Sequence, residues 1–284
     1  MPASDDPRDA LTRKRHVQLG AFLRARRALV APTDVGLPER KRRHVPGLRR
    51  EEVAQLAQIG VSWYTQLEQG RIGQVSTKTL RRVIRALRLS PVEAEHALAL
   101  ARETDARPAI APAPSDELRA FVRDYGEGAA FLTDSRSQIL AWNAHADALF
   151  AFSDYAEAER NMLALMVRSE HMRGVFGDWY DTLRRMIGVF RATNTPSGGH
   201  DTDGLIAALR AENSDFDGLW KNYDVRSLTG HLCVLRDERR GDIPMRFMAF
   251  APVDHPDHII VTLREDAAVA GDRAAAARPR RKRN

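Results

Sequence analysis

The sequence predicts two domains, an all-α front of five helices followed by an α+β half built on an antiparallel sheet. Three observations point there. Apolar residues recur at helical spacing up to about Leu100, and short alternating runs of β type appear only beyond Ala129. The charge changes sign along the chain. Residues 1–107 hold 21 Lys+Arg against 12 Asp+Glu, residues 108–271 hold 17 against 25, and residues 272–284 hold 6 against 1. Between the halves, Pro108, Pro112 and Pro114 place three prolines in seven residues, which no helix interior tolerates and which favours an extended spacer. We therefore divide the chain into a front domain over 12–104, a Pro/Ala linker over 105–114, a second domain over 115–266 and a basic tail over 267–284. The tail has no apolar face to bury and is expected to be disordered. A length of 284 residues agrees with two domains at ~150 residues each.

The elements follow in order. Leu19, Phe22, Leu23 and Val30 make a helical stripe from Lys14 to about Val30. Pro32, Gly36, Pro38 and Pro46 mark a long loop. Leu48, Val53, Leu56 and Ala57 form one side of a second helix, Val61, Tyr64 and Leu67 a third, and Leu80, Val83, Ile84 and Leu87 a fourth. Ser90-Pro91-Val92-Glu93 starts the fifth, with Ser as N-cap, Pro in the first turn and Glu three residues on.

The stretch Leu48–Gly70 carries a mechanism. Ala54 is small where a crossing helix needs room, Gln58 occupies the turn four residues later, and Ile59 plugs the angle between two short helices. Tyr64 and Leu67 hold the second helix down, and Gly70 suits a left-handed C-cap. This is helix-turn-helix architecture, whose second helix enters the DNA major groove. With Tyr64 and Leu67 inward, Val61, Ser62, Thr65 and Gln66 face outward. Gln66 can pair bidentately with adenine, Ser62 and Thr65 can bond several bases, and Val61 can touch a thymine methyl. Arg49, Arg71 and Lys78 lie near the helix ends as candidate phosphate contacts. The runs Arg40–His44 and Arg278–Arg283 add positive charge.

The whole string, with Val45-Pro46-Gly47-Leu48-Arg49-Arg50-Glu51-Glu52-Val53-Ala54 and Trp63-Tyr64-Thr65-Gln66-Leu67-Glu68-Gln69-Gly70-Arg71, resembles the phage-repressor-like XRE class. Within that class it resembles the subgroup joined to an MmyB-like C-terminal domain. The resemblance implies that Arg50 reaches phosphate or a nearby base edge, and that Val61, Ser62, Thr65 and Gln66 read bases. The turn position is usually glycine in this class because it needs positive φ. Gln58 departs from that, at about 1–2 kcal/mol of strain.

In the second half, Ala129–Thr133 and Gln138–Trp142 read as strands around an Asp134–Ser137 turn, and Asn143 caps a helix over 144–150. Helices are expected over 157–167, 178–193, 203–213 and 215–222, then strands over 231–236, 245–251 and 258–263. This order resembles a PAS-like sensor domain, and the MmyB-like domain is of that kind. The residues carrying the likeness are Ile139–Asn143, Glu159-Arg160-Asn161, Trp220 and Tyr223-Asp224-Val225. In the fourth strand, Met245, Phe247 and Ala249 alternate with Met248 and Phe250, so both sheet faces carry apolar groups and need cover. The resemblance implies a small apolar ligand, a fatty acid in the first place. A pocket of Phe131, Trp142, Trp220, Phe247 and Met248 would suit an acyl chain, Arg160 and Asn161 could hold its carboxylate, and Asn143 is counted with the ligand-binding residues.

Other chemistry finds little support. Cys233 is the one cysteine, so no intrachain disulfide is possible. His255-Pro256-Asp257-His258 reads first as a turn and His200-Asp201-Thr202-Asp203 as a loop, so no metal is expected. No nucleophile-elbow, phosphate-loop or dinucleotide pattern occurs, and no catalytic residues are expected. With no apolar run of ~18 residues and no secretory signal, neither membrane insertion nor export is expected, and the cytoplasm is the expected compartment. Three functions follow: a transcription regulator that binds double-stranded DNA as a homodimer and senses a ligand without needing a cofactor; a DNA-binding protein whose second half only dimerises or meets other proteins; and, least supported, an enzyme fused to a DNA-binding domain.

Overall fold

A computed structural model describes residues 7–38, 46–102, 113–194, 202–228, 230–237 and 240–266. The basic loop Arg40–His44, most of the linker, the His200-Asp201 pair and the tail lie outside the described residues.

The front is α1 (Pro7–Leu29), a 3-10 turn (Pro32–Val35), α2 (Arg50–Ala57), α3 (Val61–Glu68), α4 (Thr77–Ala86) and α5 (Pro91–Ala101). Leu19, Phe22, Leu23, Val53, Tyr64, Leu80, Val83 and Ala97 meet in one core with no solvent exposure. Local chemistry fixes the helix starts. The Ser90 N–H donates to Glu93 Oε2 at 2.8 Å, the capping box read from sequence. The Ser76 hydroxyl accepts from the Thr79 N–H at 3.2 Å.

The second half continues through α6 (Asp116–Asp124), β1 (Ala129–Asp134), β2 (Ile139–Trp142), α7 (Ala144–Phe150), α8 (Met162–Arg168), α9 (Glu170–Val175), α10 (Trp179–Thr193), α11 (Thr202–Glu212), α12 (Ser214–Lys221), β3 (His231–Asp237), β4 (Gly241–Phe250) and β5 (His258–Glu265). The five described strands form one antiparallel sheet in the order β2-β1-β5-β4-β3. Phe131 pairs with Val261 and Phe247 with Leu263, so all four side chains share one face. On the opposite face, Val122 of α6 packs with Ala130, Leu132 and Ile260.

Three expectations need correction. Helix α6 was not foreseen, although Ser115 caps it and Leu118 and Val122 give it an apolar side. The helix expected over 157–167 is broken, because Asn161 is extended (φ −106°) and caps α8 with its side chain. Strand β4 starts at Gly241, four residues before Met245, and Gly241 takes a φ of +74° at the turn.

The described residues fall into two compact units that do not follow a linear cut. One contains Met1–Ile110, Ile187–Gly204 and Asp217–Ser227; the other contains Ala111–Met186, Leu205–Phe216 and Leu228–Asn284. The end of α10, the end of α12 and the segment after it therefore belong with the five-helix bundle. Val225, 7% exposed, is part of the bundle core, and Tyr223 and Ala192 pack against it. The sequence likeness had placed Trp220 and Tyr223–Val225 in the sensor half. The packing is long-range and leaves no periodic signal to read.

Candidate functional site

The turn between α2 and α3 is built as the pattern requires. Gln58 sits at φ +53°, ψ +51°, and its N–H together with that of Ile59 returns to the last carbonyls of α2. Ala54 and Ala57 are buried, and Ile59 packs into the core. Recognition helix α3 then presents two different faces. Tyr64, Leu67 and Glu68 are buried, whereas Val61, Ser62 and Gln66 are exposed and Thr65 and Trp63 are intermediate. Trp63 packs against the bundle core. Of the four residues expected to face outward, three are thus exposed and Thr65 is half-buried. Arg49, Arg71 and Lys78 are exposed at the expected helix ends.

Glu68 lies on the inward face of α3, outside the residues singled out from the sequence. Its carboxylate is buried and receives Arg27 Nε at 2.5 Å, Arg27 Nη2 at 3.2 Å and Arg50 Nε at 2.7 Å. Arg27 also donates to the Leu48 carbonyl at 2.7 Å. Burial alone would raise the Glu68 carboxyl, but the hydrogen bonds from Arg27 and Arg50 outweigh it and hold the group below its ordinary value. The Tyr64 phenol beside it is pushed far up, by burial first and by the Glu68 charge second. Arg50, implied to reach the DNA, thus has its Nε committed to Glu68, and its side chain is 37% exposed. It braces the recognition helix from α2. The sequence signal for this clamp was an acidic residue four positions after Tyr64, on the apolar side of a short helix.

Two glycines let α1 approach the end of α3. A Cβ on Gly20 would stand 2.5 Å from the Glu68 carbonyl oxygen, and one on Gly70 (φ +67°) 2.7 Å from Val17 Cα. The bundle also has an open cavity of about 430 Å³ lined by Leu56, Gln58, Arg82, Arg85 and Arg88.

The residues expected to line a ligand pocket do not all converge. Phe131 (4% exposed) packs on Phe150 and Phe152, with ring centroids 5.9 and 5.4 Å away. Trp142 is 5.8 Å from Phe152, and the Arg160 guanidinium lies 4.9 Å above the Trp142 ring. Of the expected residues, Phe131, Trp142 and Arg160 thus gather around Phe152. Phe247 lies farther along the same sheet face, 4.6 Å from the His231 ring. Met248 points to the other face and is 46% exposed, as strand alternation demands. Trp220 belongs to the first unit, where Arg191 stands 4.4 Å over its ring. The Asn143 side-chain oxygen accepts from the Ala130 and Ala146 N–H groups, and its amide donates to the Tyr125 and Gly128 carbonyls. Asn161 caps α8 and donates to the Arg136 carbonyl. The Asn143 amide thus has both N–H groups on backbone carbonyls, whereas Asn161 gives its oxygen to the start of α8 and one N–H to Arg136. Cys233 is half-buried in β3, and burial raises its thiol to about 11.

Among the described residues no helix is long and apolar enough to cross a membrane, and no group of three or more His, Cys, Asp or Glu side chains is placed to hold a metal. No curated protein matches the chain at a significant level. Two family models do. A helix-turn-helix domain matches residues 18–97, over the bundle that holds α2 and α3. The MmyB-like transcription regulator ligand binding domain matches residues 114–280, more than half of the chain. With its two-faced recognition helix in front of that sheet domain, the chain belongs to the MmyB-like family of helix-turn-helix transcription regulators, proteins that join DNA binding to ligand sensing.

Proposed function

We propose that the chain binds operator DNA as a homodimer, with α3 reading bases in the major groove, and that a fatty acid or similar apolar ligand in the sheet domain sets its affinity. The observation that carries the DNA reading is the division of α3. Val61, Ser62 and Gln66 are exposed on a helix whose opposite face is anchored by Tyr64, Leu67 and the Glu68 clamp. Helix-turn-helix dimers read half-sites about 34 Å apart, one helical turn. Selection from random duplexes should therefore yield a two-fold site. Gln66→Ala should then lower affinity for that site by about 1–3 kcal/mol and relax one base position, with little effect on random DNA. An equal loss on all sequences refutes base reading by Gln66.

Support for an apolar ligand is the cluster of Phe131, Phe152 and Trp142, with the Arg160 guanidinium over the Trp142 ring. Native mass spectrometry of the purified chain tests it. A copurifying acyl carboxylate is the expected result. An empty domain favours the second reading, in which the sheet domain serves only dimerisation or protein contact. The use of Asn143 and Asn161 as helix caps supports that alternative.

A further inference from the structure

The most unusual chemistry outside the recognition face lies where the segments from the second half of the sequence enter the bundle unit. Arg26, 8% exposed in α1, donates to Glu93 of α5 at 2.7 Å, to the Asn222 carbonyl at 2.8 Å and to Asp224 at 3.3 Å. Arg191, 7% exposed at the end of α10, donates to the Asp224 carbonyl at 2.9 Å and the Trp220 carbonyl at 2.7 Å. Its guanidinium stacks over Trp220 and Tyr223 at 4.4 and 4.9 Å. Tyr223 itself holds a φ of +54°, the left-handed region that favours glycine, so the surrounding contacts must enforce its conformation. One strained turn, Asn222–Asp224, is gripped from both sides by buried arginines.

The neighbour of Arg26 is Arg27, the residue that clamps Glu68 on the recognition helix. Two consecutive side chains in the last turns of α1 therefore reach in two directions. One takes hold of the 222–224 turn, and the other takes hold of α3. We propose that this Arg26–Arg27 pair is a relay, through which the 187–193 and 217–227 segments set the position of the recognition helix, with Arg191 and Asp224 as positioning residues for DNA binding. The unit boundaries fall inside α10 and α12, so both segments are continuous in sequence with the sheet domain that senses the ligand. A change in that domain is carried covalently into the 222–224 turn, and from there to α3 through the Asp224–Arg26 and Arg27–Glu68 ion pairs, whatever the ligand is. It rests on the reading of α3 as the DNA-binding helix.

A double-mutant cycle on the full chain tests it, with the duplex that the wild-type chain enriches from a random pool as the probe. Asp224→Asn should weaken binding roughly 2- to 30-fold, the range of coupling through residues that touch neither ligand, without changing base preference. Glu68→Gln should weaken it too, and the double variant should lose no more than the larger single loss. A double loss equal to the product of the single losses overturns the relay. Glu212→Gln, which removes the exposed pair with Arg168 in the other unit, is the control and should multiply with Glu68→Gln. Should Glu68→Gln fail to fold, hydrogen exchange in Asp224→Asn alone decides. Faster exchange of α3 amides with unchanged β1–β5 amides supports the relay; an unchanged α3, or acceleration spread evenly over the chain, overturns it. A wild-type chain that enriches no duplex refutes the DNA reading, and the exchange experiment then still decides the relay.

Discussion

The two units bury polar groups in different ways. In the bundle unit the buried charges join residues far apart in sequence: Arg27 to Glu68, Arg26 to Glu93 and Asp224, and Arg191 to the turn before Val225. In the sheet unit the buried side chains of Asn143 and Asn161 are neutral and bind backbone groups: their oxygens cap α7 and α8, and their amide N–H groups reach carbonyls 15 to 25 residues away. The core there is a cluster of rings, Phe131, Phe150, Phe152 and Phe176, with centroids 5.3–6.0 Å apart. Ion pairs are directional and fix one arrangement of the helices they join. Apolar packing is non-directional by comparison. A unit that must present one helix to DNA and a unit that must respond to a ligand divide along that line.

The contrast breaks if the long-range charges prove expendable. Glu68→Ala leaves Arg27 and Arg50 facing each other without their anion. It should cost about 3–5 kcal/mol of stability in urea unfolding followed at the bundle, because an uncompensated buried charge remains. Asn143→Ala removes a cap that accepts two N–H bonds and donates two more. It should cost less, about 2 kcal/mol, read in the sheet unit. Equal losses would remove the distinction drawn here.

Acid sharpens it. His96 is buried edge-on against Phe22, with ring centroids 5.1 Å apart, and burial first and Arg191 second lower it from 6.5 to about 4. The unfolded chain therefore binds the proton before the folded one does, and stability is lost as pH falls below 6.5. Between pH 6.5 and 5 the bundle should lose about 2 kcal/mol. Glu68, whose folded value is depressed, adds its own loss only at lower pH. Native-state exchange of α1 and α5 amides should show the decline, and His96→Phe should flatten it.

The smallest effect is local. Gln58 carries a left-handed φ without being glycine, so Gln58→Gly should stabilise the bundle by about 1 kcal/mol in thermal unfolding and leave base preference unchanged.

What was legible in the sequence follows the same division. The capping box at Ser90, the cap at Asn143, the positive φ at Gln58 and the left-handed Gly70 all depend on neighbours within a few positions, and each was readable. The outward face of α3 followed from the spacing of two apolar side chains. The Glu68 clamp is legible only in part: an acidic residue on the apolar side of α3 marks its position, but its partners lie 18 and 41 residues away and leave no local signal. The docking of the Tyr223–Val225 turn on the bundle was not readable, since a likeness to a family assigns residues to a domain by their order along the chain. Met248 shows a third kind of miss. Its alternation with Phe247 was noted, yet both were placed in one pocket, and the sheet sends them to opposite faces.

The interleaving of the two units has a consequence during synthesis. Residues 7–102 leave the ribosome long before Val225, which completes their core. At ~5–20 residues per second the gap is on the order of ten seconds. Through that interval the nascent bundle lacks the Val225 side chain of its core, and Arg26 lacks its Asp224 partner. A chain cut short before residue 217 would lack both for good, so the 7–102 bundle made alone should be less stable than the same bundle in the full chain.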